Sequence, residues 1–193
     1  MNMNMKRGFT LVEMIVAVGL FAVVMLVSVG ALLSLSGANR KAQALQSVMN
    51  NLNIALDGTV RSIRMGSNYH CGSGNLMLTQ DCQNGDTVLA LESFGGSPSN
   101  PSDQWIYRFD TDGTYCGRNR ICKSETGGTP YFAITSPDIT IDSMKFYVVG
   151  TTRRDTTQPK VVLTIKGTAG AAKIQTRTTF SIQATAVQRL LDL

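Results

Sequence analysis

The chain has 193 residues, 43% of them hydrophobic and only 16% charged, against roughly 25% charged in an ordinary globular domain. That length is about one domain's worth, and the low charge excludes both a disordered polar chain and a long charged coiled coil. Eighteen Lys and Arg against thirteen Asp and Glu give +5, and the one histidine, His70, excludes any two-His metal motif; the charge is too mild for a dedicated nucleic-acid binder.

In chain order, the first element is apolar. No charge occurs between Glu13 and Arg40, leaving 26 uncharged residues, Met14 to Asn39. As a helix this run spans about 39 Å, more than the roughly 30 Å of a bilayer's hydrocarbon core, so a transmembrane helix is predicted. A cleaved secretory signal is the rival, with Lys6 and Arg7 as its basic region and Ser36-Gly37-Ala38 as its cleavage site. Signal apolar regions run roughly 7–15 residues, however, and this one is longer. In a plain anchor Glu13 would be costly, by roughly 2.5 kcal/mol or more towards the bilayer centre. It therefore calls for a cationic partner. Lys6 and Arg7 favour a cytoplasmic N-terminus; Arg40 and Lys41 balance them on the other flank, and the cysteines and β-rich remainder suit the far side of the membrane.

The run Lys6-Arg7-Gly8-Phe9-Thr10-Leu11-Val12-Glu13-Met14 resembles the processing motif of the type IV pilin superfamily, which includes the pseudopilins of type II secretion. The family pattern is a short basic leader ending in Gly, then Phe, then Thr-Leu-hydrophobic-Glu opening a long apolar helix. The resemblance implies a leader over 1–8, with Lys6 and Arg7 as its basic residues, a transmembrane half-helix over 9–39 and an extracytoplasmic pilin-like domain over 40–193. It implies cleavage between Gly8 and Phe9 by a prepilin peptidase, N-methylation of Phe9, and pairing of Glu13 with the N-terminal amine of a neighbouring subunit. The implied partners are other pilins or pseudopilins in a filament and an inner-membrane assembly platform; the implied location is the inner membrane, single-pass, before assembly. Loss of the leader would leave 16 basic and 13 acidic side chains. Major pilins usually carry Pro where this chain has Gly30, which speaks against a bulk subunit. The presence of Glu13 speaks against the tip subunit that typically lacks it. Size, the segment Arg61-Ser62-Ile63-Arg64 and the C-terminal strand resemble a J-type minor pseudopilin.

Residues 40–65 continue as an amphipathic helix, with Leu45, Val48, Met49, Leu52, Leu56, Val60 and Ile63 at spacings of three and four. Gly66 ends it, giving a single helix from about Phe9 to Met65. Period-two patterns then predict strands over 76–79, 87–94, 104–110, 139–149, 160–168 and 174–187. In the last, Ile174, Thr176, Thr178, Phe180, Ile182 and Ala184 share a face. Gly167 to Gly170 reads as the turn before it. The expected fold class is α+β, the long helix packed across an antiparallel sheet, as the family resemblance also implies.

Cys71, Cys82, Cys116 and Cys122 read as two disulfides outside the cytoplasm, with three possible pairings. Cys71–Cys82 and Cys116–Cys122 are favoured because each pair brackets a short turn-rich segment. Zinc is the rival, but the spacings are not those of common zinc knuckles; free buried thiols are the other alternative. Asp110-Thr111-Asp112-Gly113 opens like a calcium loop but lacks the later ligands, and reads as a turn. His70 reads as a surface loop residue. Arg118, Arg120, Lys123, Arg153, Arg154 and Lys160 fall in two loops diluted by Asp155 and Glu125, so nucleic acid is not the expected partner. No nucleophile-elbow or phosphate-loop pattern occurs; no enzyme, catalytic residue, cofactor or metal is expected. The expected function is a minor pilin or pseudopilin. A DNA-uptake pilin and a secreted β-rich protein are the alternatives.

Overall fold

The computed structural model describes residues 8–152, 157–169 and 177–189. The chain divides into two compact units, 1–43 and 44–193. One helix, α1, runs from Leu11 to Met65. In the first unit every residue from Gly8 to Gln43 is exposed. Among the described residues, α1 is the one helix long and apolar enough to cross a membrane, which fits a bilayer as the solvent of that face.

In the second unit α1 buries Val48, Leu52, Thr59 and Ile63. Met49, expected on the same face, is exposed, and Thr59 is buried instead, its hydroxyl donating to Ala55 O at 2.8 Å. That back-bond satisfies the hydroxyl within the helix. The helix stops at Gly66, where a side chain would strike Leu91 and the Glu92 carbonyl. The Tyr69 hydroxyl sits over this end and donates to the carbonyls of Ile63 and Gly66, at 2.6 and 2.9 Å, satisfying acceptors that a helix end leaves open.

Nine strands follow: β1 (Ser67–Cys71), β2 (Cys82–Asp86), β3 (Val88–Glu92), β4 (Gln104–Asp110), β5 (Arg120–Ser124), β6 (Phe132–Ala133), β7 (Ile139–Val149), β8 (Lys160–Ala169) and β9 (Thr178–Val187). They form two antiparallel sheets rather than the single sheet expected: β1-β3-β4-β5-β6 and β2-β7-β8-β9. One core joins them, with Leu52 and Ile63 of α1, Tyr69, Leu89, Leu91 and Tyr107 of the first sheet, and Ile141, Met144, Phe146, Val161 and Ile165 of the second. All five residues of β3 are buried, because Val88 and Ala90 are covered on the opposite side by Ile106, Leu76 and Tyr131.

The strands at 104–110 and 139–149 lie where expected. The segment 76–79 is a turn instead: its apolar residue Leu76 serves as a lid on the satellite cluster. Gly167 belongs to β8, paired with Phe180, rather than to a turn; the Phe180 ring lies where a side chain at 167 would be. The expected start of the last strand, Ile174 to Thr176, and Gly170 lie outside the described residues, and β9 begins at Thr178. From there the alternation holds: Thr178, Phe180, Ile182 and Ala184 are half-buried while Thr179, Ser181, Gln183 and Thr185 are exposed.

Candidate functional site

The first candidate is the start of α1. Gly8, Phe9 and Thr10 precede the helix in non-helical conformation, and Phe9 is 77% exposed. Thr10 caps the helix: its hydroxyl accepts the Glu13 N–H at 3.3 Å and its carbonyl accepts the Met14 N–H at 3.2 Å. Thr10 and Glu13 thus stand in the Thr-x-x-Glu spacing of a capping box, and the Glu13 carboxylate lies in the first turn, favoured by the helix dipole. A side chain at Gly8 would meet nothing within 4 Å, so nothing in the packing of this chain demands glycine there. Lys6 and Arg7 lie outside the described residues. Among the described residues Glu13 forms no ion pair.

The second unit carries the cysteines. Cys71 of β1 is bonded to Cys82 of β2, Cα–Cα 5.6 Å, so one disulfide joins the two sheets. Cys116–Cys122, Cα–Cα 5.8 Å, ties the 111–119 loop to β5. These are the pairings favoured from the sequence. Asp110, Cys116 and Cys122 crowd together, but both sulfurs are committed to the disulfide and hold no thiolate for a metal.

The Asp110 carboxylate is committed as well. Oδ1 accepts the N–H groups of Gly113 and Thr114, and Oδ2 those of Tyr115, Cys116 and Gly117, at 2.9–3.1 Å. Burial alone would raise this carboxyl; the amides of Cys116, Tyr115 and Gly113 outweigh it and hold the group well below the usual carboxylate range. The segment therefore organises a loop with its own amides, as the turn reading of Asp112-Gly113 requires; Gly113 has φ +93°.

His70 is corrected from a surface loop residue to a buried member of β1, 1% exposed, its Nδ1 2.7 Å from Leu78 O. The basic residues expected in loops divide. Arg120 and Lys123 lie on β5 and Lys160 on β8; Arg153 and Arg154 are outside the described residues. Lys123 packs 3.7 Å from the Trp105 ring centroid and pairs with Glu125 at 2.7 Å. Arg108 lies against the edge-to-face pair Tyr115–Tyr131, its guanidinium 4.2 and 5.8 Å from the two ring centroids. Sequence reasoning missed Asp110's full amide set and these stacked cations; an Asp two positions before Asp-Gly was the available signal for the first.

Comparison with known proteins bears on the N-terminal segment. The family described as "Prokaryotic N-terminal methylation motif" matches residues 3–29, which contain Gly8 to Glu13. The "Pilin-like protein PilA3" of Thermus thermophilus is 32% identical over 99 residues. The chain thus carries an N-terminal methylation motif and is similar to a pilin-like protein. The aligned stretch covers 51% of this chain and 40% of the Thermus relative's length. No solved structure matches. The motif and the apolar helix together fit a membrane-anchored subunit.

Proposed function

We propose that this pilin-like chain is a minor pilin or pseudopilin: a non-enzymatic subunit of a type II secretion pseudopilus or a related filament. The observation that carries this reading is the run Gly8-Phe9-Thr10-Leu11-Val12-Glu13 placed at the capped start of a helix whose apolar first part is exposed at every residue as far as Gln43. Prepilin peptidase cuts after Gly8 on the cytoplasmic side, Phe9 becomes the methylated N-terminus, and residues 9–39 hold the subunit in the inner membrane with 40–193 beyond it. The assembly platform then transfers the helix from lipid to a bundle of like helices.

Glu13 supplies the register. A carboxylate at membrane depth is stable only beside a cation. Once the leader is removed, the new Phe9 amine of an adjacent subunit is a cation of suitable position. The match drives subunits to one axial offset, because any other offset leaves a charge unpaired in apolar surroundings.

Mass spectrometry of protein from a membrane fraction tests the reading. An N-terminal peptide beginning at N-methylated Phe9 is expected. A mature start near Asn39 in soluble protein would overturn the filament reading in favour of a removed signal peptide.

A further inference from the structure

The end of the five-stranded sheet holds two acids with three buried carboxyl oxygens that have no hydrogen-bond partner. Glu92 closes β3, opposite Ser67 of β1 on one side and Gln104 of β4 on the other. It is 1% exposed, and neither of its carboxyl oxygens has a hydrogen-bond partner. Asp103 precedes β4. Its Oδ2 accepts the Ser97 N–H at 3.0 Å, while its Oδ1 is buried without a partner.

The surroundings offer no cation. From β1 the facing residue is the uncharged Ser67. From β4 it is Gln104, whose Nε2 is committed to Leu76 O at 3.1 Å. From the loop it is Gly96, where a side chain would collide with Glu92 Oε1, and Asp103 itself. The end of α1 brings only Gly66, against the Glu92 carbonyl. Among the described residues neither acid has an ion pair. A buried carboxylate without a cation is expensive, and two ionised neighbours are worse. Two carboxylates are both acceptors, so they cannot satisfy each other until one carries a proton.

We infer that Glu92 and Asp103 share one proton, and that this proton latches the Ser93–Ser102 loop to the end of the sheet. Glu92 is the donor and Asp103 Oδ1 the acceptor. Burial first, and then the Asp103 carboxylate, push the Glu92 carboxyl up to about 7; the Ser97 amide holds Asp103 below its ordinary value and keeps it the ionised member. Loss of the proton sets two like charges against each other. Asp103 then withdraws, and the Ser97 amide loses its acceptor.

The test is amide exchange at Ser97 in the full chain in detergent micelles, read as protection relative to intrinsic exchange. Between about pH 5.5 and about pH 8, protection is expected to fall by roughly tenfold or more. Glu92→Gln, whose amide replaces the O–H donor, keeps it high at both. Infrared spectra are expected to show a protonated-carboxyl band at the lower pH that Glu92→Gln removes. Asp103→Asn provides the second variant: its amide donates to an ionised Glu92, so the band disappears at the lower pH while the fold is kept. Flat wild-type protection across this range overturns the latch. So does a stoichiometric divalent cation whose removal by chelator releases Ser97 at the lower pH.

Discussion

Asp110 exchanges the hydration of one carboxylate for five backbone N–H groups of its own loop. Asp110→Ala takes the carboxylate from the amides of Gly113, Tyr115, Cys116 and Gly117, while Thr114 keeps Asp112 Oδ1 at 3.1 Å. At about 1–3 kcal/mol for a buried group left unsatisfied, and with part of the loop rehydrating, a loss of about 3 kcal/mol is expected in denaturant unfolding. Asp110→Asn is expected to recover only part of it, since its amide has a single acceptor oxygen. Gly8 makes the opposite case. A side chain there touches nothing within 4 Å, so Gly8→Val is expected to leave the ectodomain's thermal unfolding unchanged. On the reading proposed above it abolishes cleavage, seen as retention of the leader mass. On the same reading, Glu13→Ala is expected to be processed and inserted normally but to enter filaments more than about tenfold less, the cost of an unpaired amine at the proposed subunit contact. Shearing and quantifying filaments measures it.

The second half of α1 shows burial deciding between residues of one type. Leu52 is 0% exposed and Ile54 is 72% exposed. Leu52→Ala is expected to cost about 2–5 kcal/mol, and Ile54→Ala under about 0.5 kcal/mol, by the same unfolding measurement. The helix and the long strands were legible in the sequence because their periods run over many residues: α1 from the 26-residue uncharged run and its amphipathic continuation, β7 and β9 from alternation. The short strands were not. Residues 82–86 read Cys-Gln-Asn-Gly-Asp, a turn by composition, and become a strand by pairing with β7. Residues 67–71 owe their burial to the helix end just before them and to β3, which is distant in sequence and leaves no local pattern to read. His70 was misplaced for that reason. Residues 76–79 read as a strand from a period-two pattern too short to be decisive, whereas Leu76 caps a second, smaller cluster. At the candidate site, Gly8, Phe9 and Glu13 were readable as a local motif, while Glu92 and Asp103 are eleven residues apart and meet only through the sheet.

For the whole molecule, the pH dependence of stability follows from these acids. The Glu92 carboxyl lies at 4.5 in an ordinary environment and at about 7 in the fold. The folded chain therefore holds its proton while the unfolded chain has released it, and stability falls as pH rises from about 4.5 to about 7. Asp110, lowered in the fold, acts in the opposite sense: its contribution is present above its ordinary value of 3.8 and is lost as pH falls below it. Thermal unfolding across pH is expected to show a maximum in the mildly acid range, and Glu92→Gln is expected to flatten its neutral side.

The helix end described earlier also has a mechanical meaning. Met65 leads through Gly66 directly into β1, Tyr69 of that strand grips the last carbonyls of the helix, and Cys71 at its far end is welded to β2. A pull arriving along the axis of α1 thus enters the first sheet through backbone and crosses to the second through a covalent bond. The load is shared by both sheets before any ladder of hydrogen bonds has to shear. Cutting that weld by reduction would leave β1 to bear the pull alone, peeling from β3 one pair at a time.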